Sequence, residues 1–203
     1  TRRKRPPPEG QASAEAIGKY RMAHSATLHA AGATCVDVHL TEARAATGGA
    51  DATVRLFDSA EGVASVALSG HDGAVTCVRL HPASPLVLSA SADATVRCWS
   101  CAGEMPCVQT YATHSAAVTG VSLHAAGDHF ASSSADGSWA LHNLASGECV
   151  LHVGHGGGGS GLLCASLHPD GLILATGSES CAVRIWDVKS QKSVADFEGH
   201  GAA

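Results

Sequence analysis

The sequence predicts an all-β fold built from four copies of one unit. Short runs of Val, Ser and Thr are separated by tight turns, 23 of the 203 residues are glycine, and only 4% of the residues are aromatic. Runs of this kind, bounded by Gly, Asp and Pro, are typical of short strands joined by turns. One turn position recurs at intervals of 42, 43 and 44 residues: Asp51, Asp93, Asp136 and Ser180.

Two further positions repeat in phase with this turn. A ring-bearing side chain follows the turn position by six residues in every copy: Phe57, Trp99, His142 and Trp186. A histidine precedes it by 22 residues in three copies and by 25 residues in the fourth: His29, His71, His114 and His155. A period of about 40 to 45 residues, with Gly-His near its start and Trp-Asp near its end, is typical of WD-repeat β-propeller blades. We therefore predict a WD40-repeat β-propeller with about four blades present, an incomplete ring.

The spacing has a chemical reason within each blade. The loop histidine can donate a ring N–H to the turn aspartate and pair its other nitrogen with a strand hydroxyl, which in turn meets the indole N–H of the strand tryptophan. The hydroxyl is expected four residues before the turn position: Thr47, Ser89, Ser132 and Thr176. When every member of such a buried network is satisfied, the network rigidifies its surroundings.

The second copy carries all four members of this network: His71, Ser89, Asp93 and Trp99. In the other copies Phe57 has no N–H to give, His142 stands in place of the indole, and Ser180 replaces the carboxylate. We therefore expect weaker, partial networks there. Their remaining members are His29, Thr47 and Asp51 in the first copy, His114, Ser132 and Asp136 in the third, and His155, Thr176 and Trp186 in the fourth.

In chain order, a linker and a first strand precede the repeats. Residues 1–18 join the basic run Arg2 to Arg5 to three prolines, which fits either a nuclear-localisation segment or a solvated tether. Residues 19–28 are expected to form an N-terminal strand, and 29–203 the propeller segment. The expected blades are about 29–70, 71–113, 114–154 and 155–199. Because the chain begins at Thr1 and ends in the opening of another repeat, we expect a piece of a larger ring that is poorly stable alone.

The charge balance argues against broad nucleic-acid binding. The formal net charge is -5, and without Arg2 to Arg5 the chain has nine basic against eighteen acidic residues. An acidic surface is poorly suited to holding many phosphates, so any RNA contact is expected to be local or indirect. No apolar segment approaches the roughly 18 residues that span a bilayer, so no direct membrane contact is expected.

Three features suggest metal or enzyme chemistry, but the repeat explains them better. Cys98 and Cys101 form one CxxC without a second pair. The glycine run after His155 lacks both the lysine of a phosphate-binding loop and a G-x-S-x-G elbow. A histidine also ends the first strand of each blade: His39, His81, His124 and His168. We expect no catalytic residue, cofactor or metal in this chain. An enzyme or metal protein that uses these groups remains an alternative hypothesis.

In detail the repeats resemble the pre-mRNA-processing factor 19 family. The likeness rests on KYR at 19–21, TGGADATVRLFD at 47–58, LSASADATVRCWS at 88–100 and the third blade at 114–147. The third blade is the most telling, because Trp139 stands three residues before the usual aromatic position and His142 occupies that position. The likeness covers nearly everything from 19 to 200.

The resemblance implies a nuclear scaffold. Proteins of that family have an N-terminal U-box, a coiled coil that forms homotetramers, and a seven-bladed propeller that binds partners and substrates. The chain is then expected to be part of a spliceosome-associated ubiquitin-protein ligase of the Ubl conjugation pathway, acting in mRNA splicing and DNA repair. Its expected partners are proteins of the spliceosome-activating complex and ubiquitination substrates, while the ligase chemistry belongs to the U-box. The alternative is an unrelated WD-repeat adaptor in signalling or trafficking.

Overall fold

A computed structural model of the chain describes residues 28–39, 41–58, 65–154, 160–199 and 201. The expected linker at 1–18 and almost all of the expected first strand at 19–28 lie outside the described residues, as do His155 and His200. All of the regular secondary structure in the described residues is β-strand.

Sixteen strands in the described residues form four antiparallel sheets, and each sheet follows chain order. We call these sheets blades 1 to 4. Blade 1 contains β1 (Ala33–Val38), β2 (Arg44–Gly49), β3 (Thr53–Asp58) and β4 (Ser65–Ser69). Blade 2 contains β5 (Val75–Leu80), β6 (Leu86–Ser91), β7 (Val96–Ser100) and β8 (Cys107–Tyr111). Blade 3 contains β9 (Val118–Leu123), β10 (His129–Ser134), β11 (Ser138–Asn143) and β12 (Cys149–Gly154). Blade 4 contains β13 (Leu162–Leu167), β14 (Ile173–Ser178), β15 (Ala182–Asp187) and β16 (Lys192–Glu198).

The apolar core is divided among three joints, each formed by two neighbouring blades. The first strands of the blades pack side by side, β1 on β5, β5 on β9 and β9 on β13. Strand alternation sends neighbouring residues to different joints. In β7, for example, Cys98 is buried between blades 2 and 3, whereas Trp99 is buried between blades 1 and 2. Each inner blade therefore has two apolar faces, as radial stacking of blades requires. The predicted fold class, an all-β incomplete propeller, is confirmed.

A threonine on the first strand of blades 1, 2 and 3 adds a polar contact at each of the three joints. The hydroxyl of Thr34 donates to the carbonyl oxygen of Val75 in the next blade. Thr76 donates to the carbonyl of Val118 at 2.6 Å, and Thr119 donates to that of Leu162 at 2.7 Å. These bonds fix the position of each first strand relative to the first strand of the next blade.

Apolar side chains are exposed on the two outermost flanks. Val36 on β1 is 62% exposed, although its counterpart Val78 in blade 2 is fully buried. Phe197 on β16 is 59% exposed, whereas its counterpart Tyr111 is 4% exposed. At the position of the threonine donors, blade 4 has Leu163, which is also exposed. Both flanks are therefore apolar, like the faces that form the joints, but no neighbouring blade covers them within the described part of the chain.

The hairpin turn between the second and third strands contains a left-handed residue in every blade. This residue follows the turn position directly and has φ values of 62°, 68°, 79° and 63°: Ala52, Ala94, Gly137 and Cys181. A left-handed conformation costs a non-glycine residue roughly 1 to 2 kcal/mol, because Cβ approaches the following carbonyl oxygen. Three of the four turns therefore carry backbone strain that blade 3 avoids with glycine.

This strain predicts that Ala94→Gly stabilises the protein. We expect a gain of about 0.5 kcal/mol, because relief of the left-handed strain exceeds the added entropy of the unfolded chain. The matched control is Ala92→Gly, at an exposed position of the same turn without a positive φ. That change is expected to destabilise by about 0.5 kcal/mol. Urea unfolding of both variants checks the prediction, and a loss of stability in Ala94→Gly would contradict it.

Candidate functional site

The polar network of blade 2 contains all four of the expected side chains. Nδ1 of His71 lies 2.7 Å from a carboxylate oxygen of Asp93, and its Nε2 lies 2.8 Å from Oγ of Ser89. The indole N–H of Trp99 donates to the same Ser89 oxygen at 2.8 Å. The structure thus brings together the four side chains that the sequence predicted to meet. They connect the loop before β5 to strands β6 and β7 and to the turn between them.

The direction of each hydrogen bond in this network follows from the chemistry of its ends. A carboxylate only accepts and an indole N–H only donates. Nδ1 of His71 must therefore carry the proton that it shares with Asp93. Because the Ser89 oxygen accepts from Trp99, the Ser89 hydroxyl donates its own proton to the bare Nε2 of His71. All the side-chain bonds then run one way, from the tryptophan to the carboxylate.

Asp93 also holds its own turn in place. One carboxylate oxygen accepts from the Thr95 hydroxyl at 2.6 Å and from the Thr95 backbone N–H at 2.9 Å, and the other accepts from the Asp72 backbone N–H at 3.1 Å. Burial opposes ionisation, but the hydrogen bonds from Thr95 and His71 prevail and lower the pKa of Asp93 to about 2. Burial lowers the pKa of His71, partly offset by Asp93. The pair is therefore a neutral imidazole beside a carboxylate at neutral pH.

Blade 1 has the same arrangement without the indole. His29 Nδ1 lies 3.0 Å from Asp51, and His29 Nε2 lies 2.9 Å from the hydroxyl of Thr47. Asp51 accepts from the hydroxyl of Thr53 at 2.7 Å. Phe57 offers no N–H to the Thr47 oxygen. Three of the four groups therefore meet in blade 1.

Blade 3 contains a longer network than the sequence indicated. Nε2 of His114 lies 2.8 Å from Oγ of Ser132, which lies 3.0 Å from Nε2 of His142. Nδ1 of His114 lies 2.9 Å from Oγ of Ser138, and that hydroxyl donates to Asp136 at 2.5 Å. Sequence reasoning treated His142 as a break, but its imidazole lies where it can supply the missing N–H.

Blade 4 is described only in part. The indole N–H of Trp186 donates to the hydroxyl of Thr176 at 2.9 Å. Ser180, which replaces the turn aspartate, lies 2.7 Å from Oγ of Ser178. His155 lies outside the described residues, so the expected histidine contact in this blade stays a prediction.

Sequence reasoning missed the hydroxyl that follows the turn aspartate by two residues. This hydroxyl bonds the carboxylate in each of the first three blades: Thr53, Thr95 and Ser138. Its signal was available, since a hydroxyl recurs at this position in three copies and Ala182 replaces it in the fourth. The copy that lacks the hydroxyl is also the copy that lacks the aspartate, so the two residues form one structural unit.

The histidines that end the first strands have structural roles. Nδ1 of His81 accepts from the backbone N–H of Ser84 at 2.8 Å and so holds the following turn. Nε2 of His81 lies 3.0 Å from the Gly127 carbonyl oxygen of the next blade. A Cβ at Gly127 would lie 2.1 Å from Nε2 of His81, so glycine is required there. His39 makes the corresponding contact, 3.2 Å from the carbonyl oxygen of His81.

The groups that suggested metal or enzyme chemistry can be placed where they lie in the described residues. Among the described residues no group of three or more His, Cys, Asp or Glu side chains is placed to hold a metal ion. Burial raises the pKa of Cys98 to about 12 and that of Cys101 to about 11, so both are protonated thiols at neutral pH. A cleft of about 130 Å³ lies between blades 3 and 4, well below the roughly 300 Å³ of small-molecule sites. No helix among the described residues is long and apolar enough to cross a membrane.

Comparison with known proteins follows the same repeats. The WD40 family model (WD domain, G-beta repeat) matches residues 22–58, 62–100, 105–143 and 147–187. The chain is 40% identical over 204 residues to Pre-mRNA-processing factor 19 of Oryza sativa subsp. japonica. It is 41% identical over 204 residues to Pre-mRNA-processing factor 19 homolog 2 of Arabidopsis thaliana, and 41% identical over 198 residues to Pre-mRNA-processing factor 19 of Homo sapiens. These matches cover 95 to 98% of the chain and 39% of each relative. The resemblance predicted from the repeats is confirmed.

The networks predict that replacing the turn aspartate with alanine lowers stability more in blade 2 than in blade 1. Asp93→Ala is expected to destabilise by about 1 to 3 kcal/mol, because it leaves the buried N–H of His71 without an acceptor. Asp51→Ala is expected to cost less, because the blade 1 network already lacks its indole and the Asp51 side chain is more exposed, 16% against 10%.

Urea unfolding of both variants gives the comparison. The control is Asp72→Ala, which removes an exposed carboxylate next to His71 and is expected to change stability by less than about 0.5 kcal/mol. Equal costs for Asp93→Ala and Asp51→Ala, or the reverse order, would contradict the network argument.

Proposed function

Because the chain belongs to the WD40 family (WD domain, G-beta repeat), we propose that it is a partner-binding WD-repeat scaffold of the pre-mRNA splicing machinery. The observation that carries this proposal is the identity of about 40% with proteins named Pre-mRNA-processing factor 19, extending over nearly the whole chain. The chain spans 39% of the length of these relatives. Any activity that depends on the full length of such a protein is therefore proposed for this chain and not shown by the comparison.

The geometry supports binding rather than catalysis. The polar networks of the first three blades are directed inward, and their hydrogen bonds join strands and turns of the same blade. Those bonds fix the loop before the first strand and the turn after the second strand, which lie at the same end of the blade. Rigid loops at the ends of stacked blades are the usual means by which repeat proteins present a binding surface.

The finer proposal rests on the family resemblance. We propose that the chain recruits proteins of the spliceosome-activating complex and substrates for ubiquitination, in the nucleus, as part of a ubiquitin-protein ligase that also acts in DNA repair. The U-box would supply the ligase chemistry and the coiled coil the homotetramer. The acidic composition supports protein partners over direct contact with RNA.

Retention of spliceosomal RNA tests this function. The chain would be immobilised and incubated with a splicing-competent nuclear extract, and the retained small nuclear RNAs would be quantified. A WD-repeat arc of similar size from a trafficking adaptor serves as the control. We expect selective retention of spliceosomal small nuclear RNAs by the chain, carried by proteins that remain bound after nuclease treatment.

Two results would contradict the proposal. Equal retention of these RNAs by the chain and the control arc would remove the link to splicing. Selective enrichment of signalling or vesicle-coat proteins would favour the alternative, an unrelated WD-repeat adaptor.

A further inference from the structure

Blade 3 differs from blade 2 in the number of titratable groups in its network. Besides His114 and His142, it contains His152 on β12, whose Nε2 lies 2.9 Å from Oγ of Ser138. Two serines thus connect three imidazoles and one carboxylate. In blade 2 the corresponding network has one imidazole, that of His71.

The protons of this network can be assigned from its carboxylate end. Ser138 donates its single hydroxyl proton to Asp136, so both imidazole nitrogens that face the Ser138 oxygen must carry protons. With Nδ1 of His114 protonated, its Nε2 is bare and accepts from Ser132. The Ser132 oxygen then accepts from the Nε2–H of His142.

This assignment leaves Nδ1 of His142 as a bare nitrogen. The side chain is 1% exposed, and Nδ1 has no hydrogen-bond partner among the described residues. Its ring is stacked on Phe130 at 4.6 Å between centroids and meets the edge of Tyr111 of blade 2 at 5.2 Å. A proton added to Nδ1 would therefore create a charge in an aromatic pocket at the joint between blades 2 and 3.

The neighbouring titratable groups give no compensation for such a charge. Burial is the main cause that lowers the pKa of His142 to about 4, and His114 and His152 lower it further. Tyr111 has its pKa raised to about 12 by burial and stays neutral. The carboxylate of Asp136 is engaged by Ser138 and by the backbone N–H of Ser115. The titratable groups on the elements packed around His142 are Cys77 of β5, Cys98 of β7, Cys107 and Tyr111 of β8, His114 of the loop before β9, His129 of β10, Asp136 of the turn, and Cys149 and His152 of β12.

We propose that the three-histidine network of blade 3 is an acid-sensitive element that loosens the joint between blades 2 and 3. Proton uptake at His142 Nδ1 charges the aromatic pocket shared by Phe130 and Tyr111. The charge is relieved when β10 and β11 separate from blade 2 and water reaches the ring. The device goes beyond the proposed scaffold function, because it controls whether the blades stay together rather than what they bind.

Blade 2 is less sensitive to acid for a structural reason. Trp99 occupies the place of His142 and takes up no proton. If His71 is protonated, its charge lies 2.7 Å from Asp93, and its second N–H can donate to Ser89. A proton taken up in blade 2 therefore lies next to a carboxylate, whereas one at His142 does not.

The pH range follows from the direction of the pKa shift. The folded pKa of His142 lies below the ordinary value of 6.5, so the opened state binds a proton first as the pH falls. Stability from this residue is complete above about pH 6.5 and is lost progressively as the pH falls toward about 4. Between about pH 7.5 and about pH 5 we expect the opening equilibrium of blade 3 to increase roughly tenfold or more.

Hydrogen exchange of backbone amides, measured by mass spectrometry at these two pH values and corrected for intrinsic rates, tests the device. Peptides covering β10 and β11 are expected to lose roughly ten times more protection in acid than peptides covering β6 and β7. His142→Gln is the matched variant, because an amide can still donate to Ser132 but does not titrate. We expect the excess loss of protection to disappear in His142→Gln.

A second variant keeps the test decisive if His142→Gln folds poorly. Phe130→Val combined with His142→Trp gives blade 3 the pair that blade 2 has at Val87 and Trp99, and the excess loss of protection should disappear there too. Equal acid loss in blades 2 and 3 of the unaltered chain would overturn the proposal. So would an excess loss that persists in either variant, because the sensitivity would then have another source.

Discussion

The contact between the loop histidine and the turn aspartate is the interaction on which the first three blades depend, direct in blades 1 and 2 and relayed by Ser138 in blade 3. In blade 2 it joins His71 to Asp93 across 22 residues of sequence. The segment enclosed by this bond contains the whole hairpin of β5 and β6. The bond therefore fixes where the chain enters the blade relative to the turn that follows its second strand. The hydroxyl and the indole then extend the same constraint into the buried faces of β6 and β7.

Size compensation relates the ring-bearing residues of blades 2 and 3. On each second strand, one residue lies directly opposite the ring-bearing position of the third strand. The opposed pairs are Ala45 and Phe57, Val87 and Trp99, Phe130 and His142, and Leu174 and Trp186. The large indole of Trp99 is opposed by valine, and the smaller imidazole of His142 by phenylalanine. Blade 3 thus fills the same space with two medium-sized rings that stack, and this arrangement admits a titratable group into the core.

The repeat made the fold largely predictable from the sequence. Because the period is set by the covalent chain, it located the turns, the strand hydroxyls and the ring-bearing positions without knowledge of neighbouring blades. The blade 3 network was not predictable in the same way, since it depends on pairing across strands. His152 lies opposite Ala140 in the sheet, a position occupied by arginine in the other blades: Arg55, Arg97 and Arg184. Only the register of β11 and β12 shows that the third histidine of the network lies opposite the position where blade 3 lacks the arginine.

The protonation state of the buried histidines tests the central claim, that one-way hydrogen-bond networks hold the blades. Nitrogen-15 NMR of histidine-labelled protein at neutral pH distinguishes the two neutral forms of each ring. We predict that His71 and His114 carry their proton on Nδ1, facing the turn, and that His142 carries its proton on Nε2, facing Ser132. A proton on Nε2 of His71 would contradict the account, because that nitrogen would no longer accept from Ser89 and Nδ1 would have no hydrogen to donate to Asp93.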